Sequence, residues 1–128
     1  MIMGLVENNT NRRNLRELSK IVFSEKYDYI DESKNFKGKS GKVWTFDALV
    51  TNQNDKFGVF IRDWKREISI TQLRQLHKAC MDIPDIQGGI MVCNMISEFS
   101  RDYCNQFGIQ LLSKGHLISK LRNRQYEI

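Results

Sequence analysis

Apolar residues recur at the three- and four-residue spacing of amphipathic helices in four segments of the chain. Residue types that cap helices precede three of these segments, at Asn11 or Asn14, at Ser69 and at Ser97. Gly108 is a natural stop for the third helix, because glycine tolerates the left-handed conformation that ends many helices. The segments predicted to be helical are 14–25, 69–83, 97–107 and 117–121, and the third is predicted to turn Phe99, Tyr103 and Phe107 inward.

Strand composition is found between these helices. β-Branched and aromatic residues dominate 43–51, turn-forming residues follow at 52–56, and strand composition resumes at 57–64. These three segments predict a β-hairpin. Shorter strands are predicted at 27–33, 90–93 and 109–112.

Both strands of the predicted hairpin are apolar on both faces. In the first strand Phe46 and Ala48 fall on one predicted face and Leu49 on the other, and in the second Val59 and Phe60 fall on opposite faces. A sheet of such strands needs helices on both sides to cover it. With one helix before the hairpin and crossover helices after it, the element order predicts an α/β sandwich, a mixed β-sheet flanked by helices.

Composition and length narrow the class of protein. The chain has 128 residues, of which 41% are hydrophobic and 27% charged, as in ordinary globular proteins. This length predicts one domain spanning 1–128, with a core at 12–122 and a flexible segment at 1–11. No stretch has the length of a membrane span, so no membrane partner is expected.

Charge and cysteine usage indicate the kind of partner and the compartment. A net charge of +5 favours an anionic partner such as nucleic acid. The 3 cysteines are odd in number and have no CxxC spacing, which excludes a disulfide framework and a zinc knuckle. Free cysteines within apolar patterns indicate a reducing compartment, and we expect a cytoplasmic location.

The candidate chemistry lies on the hairpin. Asp63 and Lys65 are two residues apart on one predicted strand, so their side chains leave the same face. With an odd-length loop at 54–56, the preceding strand places Asp47 directly opposite Asp63. A two-residue turn would instead send Asp63 to the other face. We predict the odd-length loop, and with it two carboxylates and a lysine on one face.

Two facing carboxylates repel each other unless a cation lies between them. Mg²⁺ typically takes one or two carboxylates and keeps its other positions for waters and phosphate oxygens. Such an ion polarises a phosphodiester and lowers the pKa of an attacking water. Lys65 is the residue type that orients this water and offsets charge in the transition state. The set therefore predicts phosphodiester hydrolysis.

The sequence FDALV around Asp47, together with Asp63-Trp64-Lys65, resembles the PD-(D/E)xK motif of the restriction-endonuclease-like superfamily. The surrounding residues resemble its Mrr-like branch, the type IV restriction endonucleases. These residues are the basic turn Lys39-Ser40-Gly41, Gln72 in the following helix, and the strands GGIMVCN and GIQLLS. The similarity covers 12–122. The motif's proline is replaced by Phe46, and its second acid is an aspartate.

This resemblance implies a metal-dependent DNA endonuclease with a three-layer sandwich fold. The implied core order is α-β-β-β-α-β, with an added α-β-α continuation. Mg²⁺ or Mn²⁺ would be held by Asp47, Asp63 and the backbone carbonyl of Trp64, with Glu17 as a further acid from the first helix. Lys65 would be the catalytic lysine, and Gln72 matches a position that often holds a polar active-site residue.

Basic residues near the hairpin are candidates for DNA contacts. A rim that follows phosphates is predicted from Lys37, Lys39, Ser40 and Lys42, with Arg66 beyond the second strand and a further basic pair at Arg12-Arg13. The alternative interpretation is a set of solvated charges with no partner.

Two other functions remain open at this point. One is a weakly active or inactive relative that binds nucleic acid without cutting it. The other is a nuclease of the Holliday-junction-resolvase type, which acts as a homodimer. Glu17 favours the resolvase interpretation, because those enzymes have an acidic residue in the first helix.

Overall fold

The computed structural model describes residues 14–126 of the chain, and their side chains as far as residue 123. The helices are α1 (Leu15–Ser24), α2 (Ile70–Asp82), α3 (Glu98–Phe107) and α4 (Lys114–Tyr126). The strands are β1 (Asp28–Ile30), β2 (Lys34–Lys37), β3 (Val43–Phe46), β4 (Ala48–Asn52), β5 (Asp55–Glu67), β6 (Gly88–Met95) and β7 (Gln110–Ser113). The segment predicted to be flexible, 1–11, and the basic pair Arg12-Arg13 lie outside the described residues.

A five-stranded mixed sheet forms the central layer, in the order β1-β4-β5-β6-β7. β4 pairs antiparallel with β1 and β5, whereas β6 pairs parallel with β5 and β7. Helices α2 and α3 pack on one face, and α1 and α4 pack on the other. The predicted α/β sandwich and its order α-β-β-β-α-β-α-β-α are confirmed for this sheet. The two-stranded sheet β2–β3 is an insertion that the sequence analysis missed.

The helix starts follow the predicted caps. Asn14, Ser69 and Ser97 each accept a hydrogen bond from the backbone N–H three residues later, which satisfies a donor that the first helical turn leaves free. Gly108 ends α3 with a φ of 71°, as a left-handed cap. These four caps fix where α1, α2 and α3 begin and where α3 ends.

The inward face of α3 differs from the prediction. Phe99 is 81% exposed, and Phe107 is 40% exposed. Ser100 and Cys104 are buried instead. The Ser100 hydroxyl donates to the carbonyl of Ile68 at 3.0 Å, which supplies the partner that a buried carbonyl requires. Two small residues therefore take the inward face, whereas Tyr103 is half-buried against the core as predicted. The prediction is wrong for Phe99 and Phe107.

The segment predicted as one strand at 43–51 is divided at Asp47, where the chain bends. Phe46 before the bend packs with Leu49 in the core beneath α2 and α3. Ala48 after the bend packs in the core beneath α1 and α4. The prediction that Phe46 and Ala48 share a face is therefore wrong. The reason is that β3 leaves the main sheet to pair with β2, which resets the alternation at Asp47.

The position of the bend depends on a glycine. The fully buried ring of Phe46 lies against Gly58 in β5, and a Cβ at this glycine would overlap the ring. Gly58 thus permits the end of β3 to approach β5 closely. Because Asp47 directly follows Phe46, this close approach also sets where Asp47 meets β5.

Candidate active site

The β4–β5 hairpin has a tighter turn than predicted. Its last pair is Asn52 with Asp55, so the turn has two residues, and Ala48 pairs with Val59. The predicted odd-length loop at 54–56 and the direct opposition of Asp47 and Asp63 are therefore wrong. The turn places Gln53 at a φ of 58°. Tight hairpins require a positive φ, which glycine or asparagine usually provides, so Gln53 gave no signal for this turn.

Asp47 bonds to the backbone of β5 through its own N–H and its carboxylate, at the point where the pairing of β5 with β4 ends. Its N–H donates to the carbonyl of Val59 at 2.9 Å, and its Oδ2 accepts the N–H of Ile61 at 2.8 Å. Backbone N–H groups of a strand point along the plane of the sheet. The carboxylate therefore lies near the sheet plane at the edge of β5, where β3 and β4 diverge.

Arg62 joins Asp47 to Gln72, a connection that the sequence analysis did not predict. Its Nη1 donates to Asp47 Oδ2 at 2.7 Å, and its Nε donates to Gln72 Oε1 at 2.9 Å. The guanidinium lies 4.4 Å above the ring centre of Phe60. Arg62 lies two residues from both Phe60 and Trp64 on β5, so the three side chains share one face. A charged residue on an inward face is uncommon, and this was the signal that the sequence offered. Gln72 contacts Asp47 only through Arg62.

Asp63 and the Trp64 carbonyl form a second group, centred on Asn94. Asn94 Nδ2 donates to Asp63 Oδ1 at 2.9 Å and to the carbonyl oxygen of Trp64 at 2.9 Å. Two oxygens that the resemblance assigns to a metal thus converge on one nitrogen. The sequence analysis did not predict a role for Asn94. The available signal was its position as a polar residue directly after the apolar strand segment 90–93.

A bulge presents Asp63 and Lys65 to solvent. After Arg62 pairs with Cys93, the next pair of the β5–β6 ladder is Glu67 with Met95. The intervening residues of β5 therefore protrude from the sheet, and both Asp63 and Lys65 are exposed. Bulges next to active sites redirect side chains in this way. In the part of the chain that the structure describes, Lys65 has no hydrogen bond or ion pair.

The two groups are adjacent, because Arg62 and Asp63 are consecutive residues. Asp63 lies two residues beyond the Ile61 N–H that holds Asp47, which corresponds to roughly 7 Å along a strand. Carboxylate and carbonyl oxygens are the ligands that Mg²⁺ and Mn²⁺ prefer. Asp63 Oδ1 and the Trp64 carbonyl already converge, so these two oxygens fit a divalent cation. Asp47 is hydrogen-bonded to Ile61 and Arg62, and it shares no hydrogen bond with Asp63 or Trp64 among the described residues.

Glu17 does not join this set. It is exposed in the first turn of α1, and within residues 14–123 no three acidic, histidine or cysteine side chains are grouped as a metal site. The neighbouring Arg16 reaches the site instead. Its Nη1 donates to Asp31 Oδ1 at 2.9 Å and to the backbone carbonyl of Asp47 at 3.4 Å. Helix α1 thus contributes a cation beside Asp47, where the resemblance implied an acid.

Tyr29 is a further unpredicted neighbour of Asp47. Burial, and then the charge of Asp31, raise the pKa of the Tyr29 hydroxyl well above its ordinary value of 10.0. This oxygen is buried and has no hydrogen-bond partner among the described residues. Tyr29 therefore stays protonated at neutral pH, which excludes it as a base.

The basic turn between β2 and β3 is fastened to the end of α2. Asp82 accepts the Ser40 N–H at 2.9 Å, the Ser40 hydroxyl at 2.7 Å and the Trp44 indole N–H at 2.8 Å. A Cβ at Gly38 would collide with this carboxylate. The structure thus places Ser40 in an internal contact and leaves it less available for DNA than the prediction supposed.

The lysines of this turn remain on the surface. Lys37, Lys39 and Lys42 are exposed, and none of them has an ion pair among the described residues. Lys42 Nζ lies 4.0 Å above the Trp44 ring. Arg66 lies 4.6 Å above the Trp64 ring, next to Lys65. These side chains are available to phosphates.

The Asp82 contacts predict a pH-dependent stability. Hydrogen bonds from Trp44 and Ser40 hold the pKa of Asp82 below its ordinary value of 3.8. A carboxyl whose pKa is lower in the folded state adds stability above its unfolded pKa, and this stability is lost as pH falls through the folded pKa. Asp82→Asn should therefore have a lower urea midpoint than wild type at pH 7. The difference between the two midpoints should become smaller as the pH is lowered towards 3.

Asp85→Asn is the matched control for this experiment. Asp85 is exposed three residues after Asp82, in the loop that follows α2, and its side chain has no hydrogen bond in the described part of the chain. Its substitution should leave the urea midpoint near that of wild type at both pH values. An Asp82→Asn protein as stable as wild type at pH 7 would contradict the proposed fastening of the turn.

Comparison with known proteins supports the fold. No protein-family model matches the chain, and no curated protein does. A solved structure described as a protein of unknown function, AF1548, is similar with a TM-score of 0.66 at 10% sequence identity, covering 80% of this chain and 62% of that chain. Within residues 14–126, no helix is long and apolar enough to cross a membrane. At this identity the similarity shows the shared α/β fold alone.

Proposed function

We propose that this chain is a metal-dependent endonuclease that hydrolyses DNA phosphodiester bonds, with Asp47, Asp63 and Lys65 at its active site. The observation that carries the proposal is the convergence of Asp63 Oδ1 and the Trp64 carbonyl on one point, 2.9 Å from each. An exposed lysine follows on the same bulge. This arrangement agrees with the ligand roles that the resemblance to the PD-(D/E)xK motif implies.

Asp47, Asp63 and the Trp64 carbonyl would hold Mg²⁺ or Mn²⁺. When bound, such an ion supplies Lewis-acid activation of the phosphate and of a water. Lys65 follows Asp63 by two residues, and its exposed ammonium provides a mobile positive charge beside the carboxylate. Its role is to orient the attacking water and to offset the charge that develops on the phosphate oxygens.

Asp47 has one fixed orientation in the structure. The Ile61 N–H and the Arg62 guanidinium both hold its Oδ2. Its Oδ1 has no hydrogen bond among the described residues. Gln72 touches Arg62 and does not touch either aspartate. We therefore assign Gln72 a positioning role in place of the catalytic role that the resemblance implied.

The choice of DNA as substrate rests on charge. The net charge is +5, and three unpaired lysines, Lys37, Lys39 and Lys42, surround the turn that Asp82 holds in place. Contacts of this kind bind phosphates without reading sequence, and they weaken as salt concentration rises. We expect DNA binding that is independent of sequence and weaker at high salt.

The resolvase-type dimer has less support than the first proposal. Its basis was an acid from the first helix at the metal, and Glu17 is exposed and outside any group of three ligand residues in the described part of the chain. Arg16, a cation, contacts the Asp47 segment instead. The relative that binds nucleic acid without cutting it is retained as an outcome of the test below.

A plasmid-nicking assay tests the proposal. Supercoiled DNA is incubated with the protein in about 5–10 mM Mg²⁺ or Mn²⁺, a range that fills weak carboxylate sites, and in a parallel series with excess chelator. We expect nicked circles with metal and intact plasmid with chelator. Intact supercoiled, methylated and branched DNA in every condition, combined with a mobility shift, would replace the nuclease by the binding function.

A further inference from the structure

Nitrogen donors of the chain itself occupy both groups of proposed metal ligands. Arg62 Nη1 lies 2.7 Å from Asp47 Oδ2. Asn94 Nδ2 lies 2.9 Å from Asp63 Oδ1 and 2.9 Å from the Trp64 carbonyl oxygen. Each of the three proposed ligands is thus bound by an N–H group from a residue to which the resemblance gives no role.

We propose that Arg62 and Asn94 close the metal site in its ion-free state, and that their N–H groups compete with a divalent cation for the ligand oxygens. We call this arrangement the self-occupied site. The inference rests on the proposed function, because it concerns the same ligands. It adds a regulation of that site by two residues of the chain.

Asn94 competes with an ion for its two oxygens. An amide nitrogen has two hydrogens, and here both point at acceptors, one at Asp63 and one at Trp64. A magnesium ion lies about 2.0–2.1 Å from its ligand oxygens. An ion held by both oxygens at the point where they converge would take the place of Asn94 Nδ2, and the two N–H dipoles would point at a cation.

Arg62 competes by charge as well as by position. Asp47 Oδ2 already accepts from Ile61 and from Arg62, which uses both of its lone pairs. A cation on this carboxylate, at Oδ2 or at the unbonded Oδ1, would lie close to the guanidinium, and two like charges repel strongly in a partly buried site. Movement of Arg62 away from Asp47 weakens this repulsion.

Arg62 has a second anchor after it leaves Asp47. Its Nε bond to Gln72 and its stacking on Phe60 involve other parts of the guanidinium, which can turn as one rigid plane about the Nε–H···Oε1 bond while it stays over the ring. The withdrawn charge therefore stays within the site. Gln72 thereby gains a defined task, which is to hold Arg62 in both states.

Contacts that exist only without the ion have a thermodynamic signature. They stabilise the ion-free protein and oppose binding, so their removal should lower the stability of the ion-free protein and raise its affinity for the ion by a matching factor. A residue that merely supports the fold would change stability without tightening binding. The two opposite effects together identify the self-occupied site.

The test is a titration of the full chain with Mn²⁺ in the absence of DNA, following free Mn²⁺ by electron paramagnetic resonance. Arg62→Gln and Asn94→Ala are compared with wild type, and the urea midpoint of each protein is measured in chelator. We expect each variant to bind Mn²⁺ about tenfold more tightly than wild type and to unfold at lower urea. Arg62→Met and Asn94→Ser serve as second variants if a first one fails to fold.

Two controls separate the possible outcomes. Arg74→Gln removes an equal charge from the exposed face of α2, and Asp63→Asn removes a proposed ligand. Suppose that Mn²⁺ binding depends on Asp63, but that the Arg62 and Asn94 variants bind Mn²⁺ no more tightly than wild type. This result overturns the inference and leaves the proposed function standing. Equal tightening by Arg74→Gln overturns the role of Arg62. Absence of Asp63-dependent binding in every protein overturns both proposals.

Discussion

Asparagine in place of Asp63 should abolish plasmid nicking, and alanine in place of Lys65 should slow it by about 10²–10⁴-fold. An amide carries no charge and offers its metal a weaker oxygen, so Asp63→Asn removes the ligand charge at the point where the Trp64 carbonyl converges. We expect a loss of at least about 10²–10³-fold, the scale of a single electrostatic contact in a transition state. Initial rates in Mg²⁺ measure both effects.

Two residues at the tip of the same hairpin provide matched controls. Asp55→Asn and Lys56→Ala make the same chemical changes at exposed positions away from the bulge. Both should nick at the wild-type rate. Because Asp63 and Lys65 are also exposed, none of the four variants should unfold at a much lower urea concentration. Nicking that survives the loss of both Asp63 and Lys65 would locate the activity elsewhere or in a contaminant.

Alanine in place of Gly58 should destabilise the protein by about 1–3 kcal/mol, the range for an extra methyl group forced into a packed core. The added methyl would overlap the ring of Phe46, which is fully buried. The ring also has Phe36 and Phe60 as aromatic neighbours, with each pair of ring centres 5.8 Å apart, so it has little room to move. Urea unfolding measures the loss.

The same substitution should also affect the site. Asp47 directly follows Phe46, so a displaced ring shifts the carboxylate that Ile61 and Arg62 hold. We expect slower nicking by Gly58→Ala at temperatures where it is fully folded. Gly115→Ala is the control, because its Cβ would meet only Ser113 Oγ at 3.6 Å. Alanine in a helix adds about 0.5–1 kcal/mol relative to glycine, so this control should be as stable as wild type or more so.

A double variant distinguishes overlap with the ring from a general effect of alanine in β5. Phe46→Leu makes room for the methyl group, so Gly58→Ala should destabilise that background less than it destabilises wild type. The difference is the coupling energy of the pair, for which contacting residues typically give about 0.5–3 kcal/mol. Strict additivity would contradict the overlap.

Local signals predicted most of the fold. Caps at Asn14, Ser69 and Ser97 and the stop at Gly108 are encoded in short stretches of sequence, and their hydrogen bonds form within one helical turn. The mixed sheet followed from strands that are apolar on both faces and from crossover helices between them. Such features depend on neighbouring residues, and a single sequence contains them in full.

The features that were missed depend on contacts between distant residues. The register of the hairpin rests on Gln53 adopting a positive φ, and glutamine is not a residue type that predicts this conformation. The change of faces at Asp47 requires Gly58 to admit Phe46, and these residues lie on different strands. The inward face of α3 depends on a bond from Ser100 to Ile68. Periodicity along one segment carries no information on any of these.

The candidate site shows the same division. Asp63 and Lys65 were found because they are two apart on one strand, and the bulge presents both to solvent. The partners Arg62 and Asn94 were not found, because their importance lies in which oxygens they contact across strands and helices. Sequence reasoning proposed Asp47, Asp63 and Lys65, and it missed Arg62, Asn94 and the hydrogen bonds that these two residues donate.

The two-residue turn at the tip of the β4–β5 hairpin has a consequence for insertions. Residues 52–56 are exposed, and the site lies at the opposite end of the hairpin. Extra residues placed between Gln53 and Asn54 would leave the pairing of Ala48 with Val59 unchanged, so the spacing of 47 and 63 along the chain is free to grow. A single residue inserted within β5 between Val59 and Asp63 would turn Asp63 to the other face.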